Sequence, residues 1–313
     1  MQTQSTAPRS FLRSIFISPS EPRLRAGWRF LIQAAIQIGL TFLFSVAGIA
    51  LLLLLGHQLL DLGFINGLPG LASGEVVELI TIAASVLIAR RFLDHRSFVS
   101  LGFKRGPRLW TDIGAGIVIT FVMMGLIFMA EWTLGWLTLT GFAVGTETAG
   151  SLLVNLLIWM VVFIIVGWNE ELMSRGYHLQ TIASGMGLFW GLVISSAIFG
   201  LLHLANPNAT WRSAAGILFA GLLLGYAYIR TGQLWLSIGL HIGWNYFEGV
   251  VFGFPVSGLQ TYQLIKTTIA GPTDWTGGAF GPEAGYIVLP AIFAAMGLVY
   301  LYTAARATHD LPH

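Results

Sequence analysis

The 313-residue sequence has no cysteine and few charged residues. Without cysteine there is no disulfide scaffold, no cysteine-ligated zinc or iron–sulfur site and no thiol nucleophile. Charged residues make up 10% of the chain, whereas a typical soluble domain has about 25%. A net charge of +2 that comes from so few charges gives no reason to expect a nucleic-acid partner. These scarcities exclude an ordinary soluble globular protein.

The chain is instead rich in long apolar runs: hydrophobic residues make up 55% of the chain, and the mean hydropathy is +0.76. A helix needs about 17–25 apolar residues to cross a bilayer. Eight runs are candidates: 28–55, 75–93, 110–137, 151–167, 188–203, 213–229, 234–252 and 285–305. They do not alternate as the strands of a membrane barrel do. The sequence therefore predicts an all-α polytopic membrane protein with about eight transmembrane helices.

The same pattern divides the chain into five segments. They are a basic N-terminal segment at 1–27, the first three transmembrane helices at 28–149, a core at 150–252, a Gly- and Pro-rich loop at 253–284, and the last transmembrane helix with a tail at 285–313. Prolines and arginines interrupt the N-terminal segment, so we expect no cleaved signal peptide. Apolar residues within 11–16 recur at helical spacing, which predicts a short helix that lies in the membrane interface or packs against the protein.

Fourteen of the sixteen Lys and Arg residues fall on one side of the membrane if all eight runs span it. The other two are Arg212 and Lys266. Because basic residues favour the cytoplasmic side, both termini are predicted to be cytoplasmic. We expect an integral protein of the plasma (inner) membrane, with membrane lipid as a partner.

Three polar groups interrupt the apolar helices, and an ionisable side chain at membrane depth is a functional candidate because its burial costs free energy. The first group lies at 168–175. Glu171 and Arg175 are four residues apart and share a helix face, whereas Glu170 lies about 100° round the helix. This predicts a salt-bridged structural acid, Glu171, and a free acid, Glu170, suited to be a general base. Alternatively, the helix emerges at the cytoplasmic surface and all three residues are solvated.

The second group is Phe199-x-x-x-His203, which closes an apolar run. If the chain reverses at 184–187, Glu170 and His203 lie about fifteen and seventeen residues from the turn, at nearly the same height along two neighbouring helices. The alternative is that His203 only caps its helix.

The third group is His241 with Asn245, four residues apart and therefore on one helix face. Gly239 and Gly243 flank the histidine and permit a close helix neighbour. The alternative is a polar contact between two helices. Glu248, one turn later, is expected to be structural.

Glu-Glu-x-x-x-Arg at 170–175, Phe-x-x-x-His at 199–203 and His-x-x-x-Asn at 241–245 occur in this order on apolar helices. The set resembles the CPBP family of intramembrane proteases, which includes the type II CAAX prenyl endopeptidases and the bacteriocin-processing and immunity proteins, over about 150–250. The resemblance implies a catalytic core at 150–252 and an eight-helix fold with a water-filled polar cavity inside the membrane.

By the same resemblance, the chain is an endopeptidase that hydrolyses a peptide bond in a membrane-associated or prenylated protein or peptide. Glu170 and His203 would activate the attacking water, and His241 and Asn245 would stabilise the oxyanion. Glu171 with Arg175 would support the helix. The resemblance says nothing of the oligomeric state.

Other hydrolytic chemistries lack their motifs, since the sequence has no His-Glu-x-x-His and no Gly-x-Ser-x-Gly. A metal-free, glutamate-type mechanism without a cofactor is favoured, because an Asn beside the second His suits an oxyanion hole. The alternative is a zinc metalloendopeptidase, in which Glu170, His203 and His241 would be the ligands. Two further alternatives are a non-catalytic membrane scaffold or bacteriocin-immunity-type protein on the same fold, and a small-molecule transporter.

The loop at 253–284 is too long for a simple turn between two spans. Its aromatic and glycine residues suggest a folded loop that caps the cavity; the alternative is an ordinary exposed loop.

Overall fold

The structure, a computed structural model, describes residues 11–19, 21–56 and 67–309. The start of the predicted N-terminal segment, with Arg9, and the last four residues of the predicted tail lie outside these ranges. The α-helices are α1 (Phe11–Phe16), α2 (Ala26–Leu54), α3 (Leu68–Ile88), α4 (Leu109–Thr133), α5 (Ala149–Glu171), α6 (Gln180–Met186), α7 (Leu188–Leu202), α8 (Trp211–Thr231), α9 (Trp235–Asn245), α10 (Thr273–Thr276) and α11 (Val288–His309). Three π-helical segments continue α3, α5 and α9: Ala89–Leu93, Leu172–Leu179 and Tyr246–Val251.

Seven helices of the described ranges are long and apolar enough to cross a membrane. They are Ala26–Leu54, Leu68–Leu93, Leu109–Thr133, Ala149–Met186, Leu188–Ala205, Trp211–Thr231 and Val288–Arg306. Apolar side chains such as Ile38 and Phe42, each 71% exposed, face outward from α2, as lipid-facing residues do. This confirms the predicted all-α polytopic membrane fold.

The eighth predicted span, 234–252, forms α9 and its π-helical continuation. These have eleven and six residues, fewer than the roughly 20 of a typical span. Every residue from Leu236 to Asn245 is buried. The segment is thus a short central helix that the longer helices enclose.

Glycine brings α9 against α4. A Cβ at Gly239 or Gly243 of α9 would collide with the backbone of α4, and one at Gly116 of α4 would collide with the backbone of α9. Small residues let two helix backbones approach this closely. The glycines that flank His241 in the sequence therefore hold its helix in the centre of the bundle.

The predicted reversal at 184–187 is present, between α6 and α7. Gly187 has φ +87°, a conformation that glycine adopts without strain. Gly176 lies beside Leu234, where α9 begins, but Gly185 lies beside Ala26, where α2 begins. The hairpin tip thus extends past the turn between α8 and α9 by about nine residues, or about 13 Å.

A buried carboxylate ties the hairpin end of the bundle together. Asp94, 3% exposed, forms ion pairs with Arg23, Arg29 and Arg90. Arg29 also donates to Ser184 Oγ in the hairpin, at 2.6 Å. Because three arginines surround it, the Asp94 carboxylate can be buried where α2, α3 and the hairpin meet.

The predicted N-terminal helix forms as α1 and touches the protein at its C-terminal end. Phe16 stacks on Trp28, with ring centroids 5.2 Å apart, and Trp28 Nε1 donates to the Ile15 carbonyl. Phe11 is 78% exposed. The helix therefore packs against the start of α2 and leaves an apolar side chain uncovered.

The loop at 253–284 is folded. Its strand β2 (Ile265–Ile269) pairs antiparallel with β1 (Leu137–Phe142), which follows α4, and Leu137 lies opposite Ile269. Later in the loop, Phe280 is 1% exposed and packs in a cluster with Phe199. The hydropathy pattern predicted neither strand.

Candidate functional site

A cavity of about 350 Å³ lies inside the bundle, in the size range of small-ligand pockets. Four of the polar residues singled out in the sequence line it: Glu170, His203, His241 and Asn245. Trp159, Val162, Phe163 and Val166 of α5 give it an apolar wall. The structure thus brings residues from three separate motifs to one polar, partly enclosed space.

Glu170 lies in the last turn of α5 and faces both histidines. Its Oε2 atom is 3.8 Å from His203 Nε2 and 3.6 Å from His241 Nε2. Within the described part of the chain, this oxygen has no hydrogen-bond partner. The side chain is 21% exposed. Glu170 Oε2 is therefore free to accept a hydrogen bond, reachable from the cavity and next to two imidazoles.

A close helix contact and a change of helix type set this geometry. A Cβ at Gly167 of α5 would come within 2.9 Å of Ile242 on α9, so only a glycine lets the helices approach one turn before Glu170. Immediately after Glu171 the α-helix becomes the π-helix Leu172–Leu179. Such π-segments occur frequently at functional sites.

Glu171 points away from the cavity and is fully buried. Its Oε1 atom lies 2.6 Å from Arg175 Nη1 and 2.8 Å from His241 Nδ1. This pairing agrees with the shared helix face predicted from the sequence. Because Glu171 and Arg175 are 0% and 1% exposed, they are not solvated at a helix end. The contact with His241 was not predicted.

Arg175 holds the second motif, Phe199-x-x-x-His203, in place. It donates to the Gly221 carbonyl oxygen at 3.2 Å, and its guanidinium lies 4.4 Å from the Phe199 ring centroid. Phe199 in turn packs edge-on against the His203 ring. One buried guanidinium therefore links α5, α7 and α8 behind the cavity.

The hydrogen bonds of the two histidines define which ring nitrogen faces the cavity. His203 Nδ1 lies 2.8 Å from the Phe199 carbonyl oxygen, so Nδ1 carries a proton and Nε2 faces Glu170. His241 Nδ1 likewise carries a proton, because its partner is the carboxylate that also binds Arg175. In both rings Nε2 points to Glu170.

Asn245 is 8% exposed, lines the cavity and forms no side-chain hydrogen bond within the described residues. Its amide is available to a bound group. Glu248, one turn later, is fully buried, and within the described residues neither carboxylate oxygen has a hydrogen-bond partner.

Sequence reasoning missed three acids of the cavity wall: Glu75 and Glu78 on α3, and Glu283 in the loop after β2. The signal for the first two was present, since both are ionisable residues at the edge of an apolar run. The run was taken to start at 75, but α3 starts at Leu68, so both acids lie well inside the helix.

The folded loop also forms part of the cavity wall. Val256, Ser257, Leu259 and Thr261 line it together with Glu283. Glu283 accepts hydrogen bonds from the Ser257 hydroxyl and backbone N–H at 3.0 and 3.3 Å. The loop therefore closes one end of the cavity.

Glu170, His203 and His241, the zinc ligands of the alternative mechanism, do lie together. Within the described residues, however, no group of three or more His, Asp or Glu side chains is arranged so that it could hold a metal ion. The donor atoms would have to move toward a common centre to bind one.

Comparison with known proteins adds one finding. The family model described as type II CAAX prenyl endopeptidase Rce1-like matches residues 151–247. These residues include all three motifs. A comparison with curated proteins found no match.

Proposed function

Because the family model of the type II CAAX prenyl endopeptidase Rce1-like proteins matches residues 151–247 of this integral membrane protein, we propose that the chain is an intramembrane endopeptidase. Its substrate is a membrane-associated or prenylated protein or peptide. The observation that carries the proposal is the Glu170 carboxylate, whose Oε2 atom has no hydrogen bond within the described residues and lies beside His203 and His241 in the wall of a cavity inside the bundle.

Glu170 and His203 activate the attacking water. Neutral His203 has a bare Nε2 atom, because its proton is on Nδ1, so both this nitrogen and Glu170 Oε2 accept hydrogen bonds. A water that lies about 2.8 Å from each of them would donate one hydrogen to each. Glu170 takes the proton as the water oxygen attacks the peptide carbonyl carbon. It returns the proton to the amine when the C–N bond breaks.

His241 and Asn245 stabilise the tetrahedral oxyanion. They share one face of α9, and both line the cavity. Asn245 offers its side-chain N–H groups. A donor role for His241 Nε2 requires the imidazolium, because Nδ1 already carries the proton that Glu171 accepts. Glu171 then supplies the counter-charge. Fixed donors of this kind stabilise charge that develops in the transition state.

The mechanism that we propose needs no metal. Purified protein is expected to keep its activity after exhaustive chelation and to contain well under one equivalent of transition metal. Metal analysis and peptide cleavage before and after chelation measure this. Stoichiometric zinc that is lost together with activity, and that restores activity when added back, would instead assign Glu170, His203 and His241 as ligands.

The termini and the hairpin end are proposed to be cytoplasmic, and the membrane is proposed to be the plasma (inner) membrane. Support comes from the excess of basic residues on that side and from the arginine cluster at Asp94, where α2, α3 and the hairpin meet. His241 lies about nine residues from the turn at 230–232, so the cavity is in the cytoplasmic half of the membrane, about 14 Å deep.

Comparative proteomics tests the function. Membranes of cells with and without the chain are compared by mass spectrometry for proteins that differ in length. We expect at least one membrane protein that is shortened only when the chain is present. Identical membrane proteomes would support the non-catalytic scaffold or immunity-type alternative, and a difference only in a small metabolite would support the transporter.

A further inference from the structure

The cavity is acidic. Among the described residues that line it, four are glutamates (Glu75, Glu78, Glu170 and Glu283), two are histidines and none is Lys or Arg. Glu170 is the proposed base, and Glu283 is held by Ser257. The mechanism above uses neither Glu75 nor Glu78.

Glu75 and Glu78 form a pair on α3. They are three residues apart and so share a helix face, and both interact electrostatically with Glu170 across the cavity. Within the described residues, neither side chain has an ion-pair or hydrogen-bond partner. Like charges that face one cavity repel each other. A cation in the cavity would relieve this repulsion.

Several acids of the bundle are compensated, whereas Glu131 and Glu248 are fully buried and have no hydrogen-bond partner among the described residues. Glu171 binds Arg175, Asp94 binds three arginines, and Asp112 binds Arg306. Glu75 and Glu78 differ in that they face an open space beside Glu170. The buried, unpartnered Asn245 amide in the same space independently indicates that a polar ligand enters it.

We propose that Glu75 and Glu78 bind a basic side chain of the peptide substrate. The inference rests on the proposed function and names its substrate class: peptides with a Lys or Arg within about three residues of the cleaved bond, since an extended chain advances about 3.3–3.6 Å per residue. The apolar wall of α5 takes the neighbouring apolar side chains. An acidic residue or a free carboxylate at the same position is rejected by like charge.

Matched peptides test the inference. Each is a decapeptide of alanine and leucine that carries lysine, norleucine or glutamate at one position. Binding to the full-length protein in detergent is measured through the fluorescence of Trp159 and Trp244, which line the cavity, and cleavage is measured by mass spectrometry. The wild type should bind the best lysine peptide at least tenfold more tightly than the norleucine peptide, and raised salt should reduce this preference. The glutamate peptide should bind most weakly.

The double variant Glu75→Gln/Glu78→Gln should lose the lysine preference, so that the lysine and norleucine peptides bind to it with equal affinity. Glu131→Gln is the matched control, because Glu131 is also a buried acid of a spanning helix but is not among the described residues that line the cavity. It should keep the preference.

The binding and cleavage measurements separate two failures. Equal binding of lysine and norleucine peptides by the wild type, no binding of either, or an unchanged preference in the double variant overturns the inference. A lysine preference in binding without any cleavage leaves the acidic subsite in place and overturns the proposed protease function.

Discussion

Glu170→Gln is expected to abolish proteolysis, with expression and melting temperature close to those of the wild type. The substitution keeps the shape of the side chain but removes the group that accepts the proton of water. Loss of a general base lowers rates by about 10²–10⁴-fold. Stability should hold because Glu170 has no ion pair with Lys or Arg in the described structure, and its Oε2 atom has no hydrogen bond there. Cleavage of the substrate found by proteomics, or of the decapeptides, is measured beside thermal unfolding.

Glu131→Gln again serves as the control, since it makes the same chemical change at a buried acid outside the cavity lining. It should retain cleavage. Full activity of Glu170→Gln would refute the assignment of Glu170 as the base. Loss of activity in both variants would show that the loss is not specific to the Glu170 carboxylate.

The sequence predicted which motif residues lie close together, because the number of residues between each of them and the chain reversal can be counted. Glu170 and His203 lie at similar distances from the reversal at 184–187, and the structure places them 3.8 Å apart. Glu171 and Arg175 share a face by helical periodicity alone, and they form the expected ion pair. Such contacts depend on local geometry, which the sequence encodes directly.

Contacts between helices that are distant in the sequence were harder to predict. The hydrogen bond between Glu171 and His241 joins residues 70 positions apart. Helical periodicity indicates contacts within one helix and therefore does not predict this bond. The two π-helical segments that follow Glu171 and Asn245 also have no readable sequence signal. Both features affect which way the side chains of the candidate site point.

The acids of α3 were missed through a boundary error. Because hydropathy placed the start of the run at Glu75, this residue and Glu78 fell at the end of the predicted span and were not singled out. The helix begins at Leu68, with a proline in its first turn, as helix starts often have. That signal would have placed both acids well inside the helix.

Two depth estimates made from the sequence disagree by about 10 Å. The turn at 184–187 lies about 25 Å from Glu170, whereas the turn at 230–232 lies about 14 Å from His241. The structure reconciles them, since the hairpin tip continues past the start of α9 to the start of α2. Its Phe189 and Trp190 are 67% and 49% exposed. Amphipathic aromatic residues are typical of a membrane interface.

Arg175→Ala is expected to lower the free energy of unfolding by about 3–5 kcal/mol, because it leaves Glu171 as a buried charge that has lost its cation. It also removes the hydrogen bond to Gly221 and the packing on Phe199. Unfolding in detergent by heat and by denaturant measures the loss. The double variant Glu171→Gln/Arg175→Met removes both charges at similar volume and should regain a large part of the stability.

Glu171→Gln separates the structural role of this carboxylate from its role beside His241. It leaves Arg175 without its anion, so it should destabilise the protein about as much as Arg175→Ala does. It also takes the counter-charge from His241 Nδ1, so kcat per folded molecule should fall while KM changes little. Arg175→Ala keeps the carboxylate beside His241 and should keep kcat per folded molecule within a few fold. Wild-type stability in Arg175→Ala would contradict the structural role of the pair. Equal kcat in both single variants would contradict the role of Glu171 in positioning His241.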